Sequence, residues 1–155
     1  MEINNQILGA LGETYCEQFL YSENIACVRP QNIDAKNLLD SNKILFDYNF
    51  ERIEITLPKI IRGELYKLGK TTTKYKPRYL YDFLAVRLNM KEPPRKMNKT
   101  KMEDFMWVEA KSGKSNPSEQ QIRGKSQTKI KVMVCRAEGV LSNRPENVGI
   151  DFFEL

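Results

Sequence analysis

Asp82, Glu109 and Lys111 are the residues of this 155-residue chain whose types and spacing can do chemistry. In "FMWVEAKSGKS", residues 105–115, a period of two puts Phe105, Trp107, Glu109 and Lys111 on one strand face and Met106, Val108 and Ala110 on the other. An acid and a base therefore project together from an otherwise apolar strand. In "RYLYDFLAVRL", residues 78–88, the same alternation sets Asp82 among Leu80, Leu84 and Val86. If 78–88 and 103–111 pair as an antiparallel hairpin, the register that places Asp82 opposite Glu109 centres the turn between Arg95 and Lys96, beside Pro93 and Pro94. Two carboxylates on adjacent strands can bind one or two Mg²⁺ ions, with Mn²⁺ as a substitute, leaving water and phosphate to complete the octahedron. The lysine one pleat further on can orient or deprotonate the attacking water, or neutralise charge in the transition state. The competing reading of Glu109 and Lys111 is an ion pair across the pleat. Asp82 on an apolar face is costly without a partner or a metal, which favours a functional role. The same acid-x-lysine spacing at Asp34-Ala35-Lys36 lacks flanking strand residues and is set aside.

The chain contains no histidine. That excludes Ser-His-Asp and Cys-His catalysis, His-based acid–base chemistry and His-ligated zinc. Cys16, Cys27 and Cys135 are odd in number and lack a C-x-x-C pair, so they read as small core residues and not as a disulfide framework, zinc ribbon or iron–sulfur cluster. Catalysis, if present, falls to carboxylates, lysines and a hard metal. At 41% hydrophobic residues, the length suits one domain over residues 1–155. No run approaches the roughly 18–20 apolar residues of a membrane span, and the first residues lack a signal-peptide pattern. The expectation is a soluble intracellular, cytoplasmic protein, in the host cell if the source is viral, with no membrane partner.

Charge is divided unevenly along the chain. Residues 1–56 carry four Lys/Arg and nine Asp/Glu, a net −5; residues 57–155 carry 21 and 11, a net +10. The second part is where an anionic partner belongs. Its segment "KIIRGELYKLGKTTTKYKPR", 59–78, sets seven basic residues against Glu64 alone and interleaves Tyr66 and Tyr75, a composition suited to phosphate contact with stacking. Lys67, Lys70, Lys74, Lys76 and Arg78 are its candidate nucleic-acid contacts. Lys114 and Arg123, near the start of a later helix, are two more. A non-catalytic nucleic-acid-binding protein using 59–78 is the alternative function.

The elements that must position these residues follow from period and punctuation. Leu8, Leu11, Tyr15 and Phe19 recur at helical spacing, predicting an amphipathic helix over 5–23 in which Gly9 and Gly12 either weaken the helix or allow close packing. A short strand over 25–30 ends at Pro30. Alternation over 43–57 predicts a hairpin, and Pro58, Ile61, Leu65, Leu68 and Gly69 outline a short basic helix. After the 105–111 strand, Asn116 as N-cap, Pro117 at N1 and Glu119 at N3 predict a helix over 117–128, followed by strands over 130–136 and at the C-terminus.

With Asp82 and Glu109-Ala110-Lys111, the chain resembles the PD-(D/E)XK nuclease superfamily over residues 5–30 and 77–136. The resemblance is to the branch of archaeal Holliday-junction resolvases and RecB-like nucleases. "LGETYCEQFLYSENIACVRP" is similar to their first helix and strand, which implies a site glutamate at Glu13. "SEQQ" resembles their S-x-x-Q, which implies a site glutamine at Gln121. The resemblance also implies the Ala110 carbonyl as a third metal ligand. It implies an α/β fold with a restriction-endonuclease-like αβββαβ core, a mixed central sheet flanked by helices. The activity implied is Mg²⁺-dependent hydrolysis of DNA, as an endonuclease more than an exonuclease, on branched or recombination and repair DNA, with a homodimer as the implied assembly. Two features depart from the pattern: Tyr81 stands where the motif has proline, and residues 31–76 read as an insertion in the minimal core.

Overall fold

Helix α1 (Asn5–Ser22) opens the fold, in a computed structural model that describes residues 5–33, 41–69, 80–89, 100–140 and 144–155. Its buried stripe is Gly12, Cys16 and Leu20, with Leu8, Tyr15 and Phe19 half-buried beside it and Leu11 37% exposed. The stripe is rotated from the expected Leu8-Leu11-Tyr15-Phe19 line because Gly12, which carries no apolar signal, sits against the sheet. Asn24, at φ 60°, reverses the chain into strand β1 (Ile25–Val28); an asparagine tolerates that left-handed conformation better than most residues. Pro30 then starts a 3-10 turn over Pro30–Asn32.

Strands β2 (Lys43–Tyr48) and β3 (Glu51–Thr56) form the expected hairpin. Its two-residue turn, Asn49 and Phe50, has positive φ at both positions, the twist that suits a tight hairpin. Helix α2 (Lys59–Gly69) buries Ile61 and Leu65. Strand β4 (Phe83–Arg87) is shorter than the expected 78–88, so Asp82 lies just before the regular strand; residues 78 and 79 are outside the described residues. Strand β5 (Phe105–Ser112), helix α3 (Glu119–Gly124), strand β6 (Lys131–Glu138) and strand β7 (Gly149–Glu154) complete the order. The fold is α/β, with three helices among the described residues and one open, mixed sheet of seven strands ordered β3-β2-β1-β4-β5-β6-β7. Among the described residues only β5 and β6 pair in parallel, as their connection through α3 requires.

Period-two alternation assigns each strand residue to one of two cores. Ala26, Val28, Ile44, Phe46, Ile53, Ile55, Leu84, Val86, Phe105, Trp107 and Val132 join Ile61 and Leu65 of α2 on one face. Ile25, Cys27, Phe83, Ala85, Met106, Val108, Cys135 and Ala137 join Cys16 and Leu20 of α1 on the other. Burial of each large apolar side chain contributes about 1.5–3 kcal/mol. The three cysteines are free and buried, as small core residues. Residues 43–56 extend the sheet beyond β1, and α2 packs in the same core as β4 and β5. This part of the 31–76 segment is therefore built into the sheet and core.

Candidate active site

The pairing of β4 with β5 runs from Val86 opposite Phe105 to Phe83 opposite Val108. Continued one step past the end of the ladder, this register sets Asp82 across from Glu109. At that point the backbone ladder gives way to a side chain: Asp82 Oδ2 accepts a hydrogen bond from the Ala110 N–H at 2.9 Å. Because a strand residue directs its N–H and C=O to the same side, the Ala110 carbonyl faces the gap left where β4 begins. Ala110 itself is half-buried against the α1-side core, while Glu109 and Lys111 follow Trp107 on the α2 side. The constellation lies at the carboxyl ends of the parallel pair β5 and β6, where ligands bind in open α/β sheets.

Glu109 is 5% exposed. Its Oε1 is 3.7 Å from Lys111 Nζ, and its Oε2 is buried without a hydrogen-bond partner. Burial, then the charge of Asp82 and a side-chain hydrogen bond with it, push the Glu109 carboxyl from 4.5 up to about 9, while the charge of Lys111 and a side-chain hydrogen bond with Gln121 act in the opposite direction. A buried carboxylate with an unpartnered oxygen beside a second acid fits a divalent cation. Among the described residues no group of three or more His, Cys, Asp and Glu side chains is arranged to hold a metal. The oxygen donors that this end of the sheet offers a hard cation are thus two carboxylates and a carbonyl.

Glu13 lies on the α1 side and is engaged by Arg29, whose Nη2 is 2.7 Å from Glu13 Oε2 and 3.5 Å from Glu17 Oε1. Arg29 also lies 5.2 Å from the ring centroid of Phe83, the residue of β4 that follows Asp82 in the chain. Burial lowers the Arg29 pKa, and Glu13, Glu17 and Asp82 together raise it above its ordinary value. Burial raises that of Glu17 despite Arg29. Arg29 was absent from the expected site; its position before Pro30 at the end of β1 is the sequence signal that carries it.

Gln121 sits in the first turn of α3, but Ser118 caps the helix in place of the expected Asn116. Ser118 Oγ accepts from Gln121 N at 3.2 Å, and Gln121 Oε1 accepts from Ser118 N at 2.9 Å. The S-x-x-Q spacing is a capping box. Asn116 is diverted because its Oδ1 accepts from Arg136 Nη2 at 3.1 Å, and the helix ends at Gly124 before a 3-10 turn at Lys125–Gln127. Gln121 Nε2 also donates to Leu80 O at 3.0 Å, and the Tyr81 hydroxyl donates to Gln121 O at 2.7 Å.

The other expected contacts divide. Lys114 is exposed in the turn after β5, and Arg123 is exposed and 3.8 Å from Glu119. Lys70, Lys74, Lys76 and Arg78 lie outside the described residues, as does the side chain of Lys67. Arg136 was not anticipated: it is paired in register with Lys111, holds Ser115 O at 3.0 Å and lies over Phe153. Among the described residues no helix is long and apolar enough to cross a membrane. Comparison of the chain with protein-family models, curated proteins and solved structures gives no match.

Proposed function

We propose that the chain is a metal-dependent nuclease that hydrolyses phosphodiester bonds in DNA. The observation that carries the reading is the placement of Asp82, bonded through Oδ2 to Ala110 N, just past the Phe83–Val108 end of the β4–β5 ladder and beside Glu109, whose Oε2 is unpartnered and whose Oε1 is 3.7 Å from Lys111. Asp82, Glu109 and the Ala110 carbonyl are the residues that would hold Mg²⁺ or Mn²⁺. When bound, the ion supplies Lewis-acid stabilisation of phosphate charge and lowers the pKa of a bound water. Asp82 is held in place by the Ala110 N–H, so the carboxylate is oriented before any substrate arrives. Lys111, with 18% of its side chain exposed, reaches both Glu109 and solvent, as a residue that orients the attacking water must.

Further support comes from element order. With β2, β3, α2 and β7 set aside, the succession α1, β1, β4, β5, α3, β6 is the αβββαβ order of the restriction-endonuclease-like nucleases that the sequence resembles. The zero histidine count leaves carboxylate and lysine chemistry as the route to phosphodiester hydrolysis. The test is cleavage of labelled linear, single-stranded and four-way-junction DNA with Mg²⁺, Mn²⁺ or EDTA. Cutting that requires metal, disappears in Glu109→Ala with DNA binding retained, and falls by roughly 10²- to 10⁴-fold in Lys111→Ala supports the reading. Unchanged cutting by Glu109→Ala overturns it. Binding without cutting on every substrate points instead to the non-catalytic nucleic-acid-binding protein.

A further inference from the structure

Tyr81 occupies the position immediately before the first acid, and its side chain is tied to a different element from the acid's own. Its hydroxyl donates to Gln121 O at 2.7 Å, while Gln121 Nε2 donates back to Leu80 O at 3.0 Å. The two bonds run in opposite directions between the same pair of segments. They join the lead-in to β4, which has no ladder partner at Leu80 and Tyr81, to the first turn of α3. The Tyr81 ring is 5% exposed and packs on Trp107, centroids 5.9 Å apart, two residues before Glu109 on the same strand face. Trp107 Nε1 in turn donates to Thr128 Oγ1 at 3.4 Å. Space around the hydroxyl is full: a Cβ at Gly124 would stand 2.9 Å from it and 2.7 Å from Leu80 Cδ1.

We infer that Tyr81 is a positioning residue that fixes the Asp82 carboxylate through a clamp between the β4 lead-in and α3. The inference rests on the reading of Asp82 and Glu109 as metal-binding carboxylates. The regular β4–β5 ladder ends at Phe83, so the backbone of Asp82 lacks strand pairing of its own. Its side-chain bond to Ala110 N fixes one end of the residue, and the Tyr81–Gln121 clamp fixes the other. The same clamp ties down the first turn of α3, whose Ser118 cap closes the Gly113–Ser118 loop that carries Lys114. One phenolic hydroxyl thus couples the first metal-binding acid to the loop beside the second.

Trp107 is the sole tryptophan, so its fluorescence reports metal at the neighbouring carboxylates directly. The test uses the full chain as wild type, Tyr81→Phe, which keeps the ring on Trp107, and Gly124→Ala, which crowds the hydroxyl from α3. The measurements are the thermal midpoint, Mn²⁺ quenching of Trp107 fluorescence, and steady-state cleavage of the DNA that wild type cuts best. A clamp predicts a Tyr81→Phe midpoint within a few degrees of wild type and half-saturation at roughly tenfold higher Mn²⁺. It also predicts kcat lower by roughly 10- to 100-fold with little change in KM, because a misplaced catalytic group costs turnover before binding. Gly124→Ala shifts the same parameters in the same direction. Wild-type Mn²⁺ half-saturation in Tyr81→Phe overturns the clamp, and so does a loss confined to KM or a loss accompanied by collapse of the midpoint. If wild type quenches with Mn²⁺ but cuts nothing, the nuclease reading fails and the titration alone decides the clamp. A wild-type chain that neither quenches nor cuts overturns both.

Discussion

At the scale of single residues, the cost of burying Glu109 is the most informative quantity. Its carboxyl is raised from 4.5 to about 9 by burial first and by Asp82 second. A group whose pKa is higher in the folded state contributes stability that is present in full below the unfolded value and is lost as pH rises through the folded one. The metal-free chain is therefore expected to lose stability between about pH 4.5 and about pH 9 through this residue. Glu109→Gln, which cannot ionise, removes that slope. If Glu109 binds metal as proposed, divalent cation should restore the midpoint of wild type at high pH and leave that of Glu109→Gln unmoved, because metal binding needs the deprotonated carboxylate. Thermal melts at pH 6 and pH 9, with EDTA or Mg²⁺, decide the matter: a wild-type slope no steeper than the variant's sinks the assignment of Glu109 as a buried acid awaiting a cation.

At the scale of elements, α1 and α3 depend on packing details that hydrophobic period does not carry. At Gly12, a Cβ would stand 2.9 Å from Ser112 Cβ of β5; at Gly9 nothing lies within 4 Å. The two glycines, alike in sequence, should respond with opposite sign. Gly9→Ala gains about 0.5–1 kcal/mol from helix propensity, whereas Gly12→Ala loses about 1–2 kcal/mol net once overpacking outweighs that gain. Urea midpoints check both, and a stabilised Gly12→Ala would show that α1 does not rest on Ser112. The caps of α3 offer a second contrast. Ser118→Ala should cost about 1 kcal/mol, while Asn116→Ala, which loses only its bond from Arg136 near the surface, should cost well under that. The same contrasts mark what was legible in sequence. Alternation in 105–111 and 78–88 carried the strand faces and, with the hairpin symmetry, a β4–β5 register that, continued one step past Phe83, sets Asp82 across from Glu109. Ser118 was hidden because Asn116 and Pro117 offer a stronger local start signal, and only the tertiary bond from Arg136 removes Asn116 from competition. Arg29 was legible only as the basic residue before Pro30; its partners Glu13 and Glu17 are brought to it by the turn at Asn24, a contact that no local period encodes.

At the scale of the whole molecule, the charge division of the sequence follows the strand order of the sheet, although α1 packs across β5 and β6. The acidic first part supplies α1, β1 and the β2–β3 edge, while the basic second part supplies β4 to β7 and the segments between them. The cations on the β2–β3 edge are already matched, Lys43 to Glu54 at 3.5 Å and Arg52 to Asp47 at 3.6 Å. A polyanion is therefore expected to meet the basic part and to avoid that edge. Each phosphate contact releases condensed counterions, so log K should fall linearly with log salt, with a slope of about −0.9 per contact on duplex DNA. Replacing Lys67, Lys70, Lys74, Lys76 or Arg78 by glutamine should make the slope shallower by about 0.9 for each residue that touches phosphate. Replacing Lys43 or Arg52 should leave it unchanged. Fluorescence anisotropy of labelled DNA in EDTA, over about 50 to about 200 mM salt, separates the slopes without interference from cutting. Equal effects from the two sets would mean that the charge division does not direct binding. A flat response in both would remove DNA as the partner and leave the two carboxylates without the substrate proposed for them.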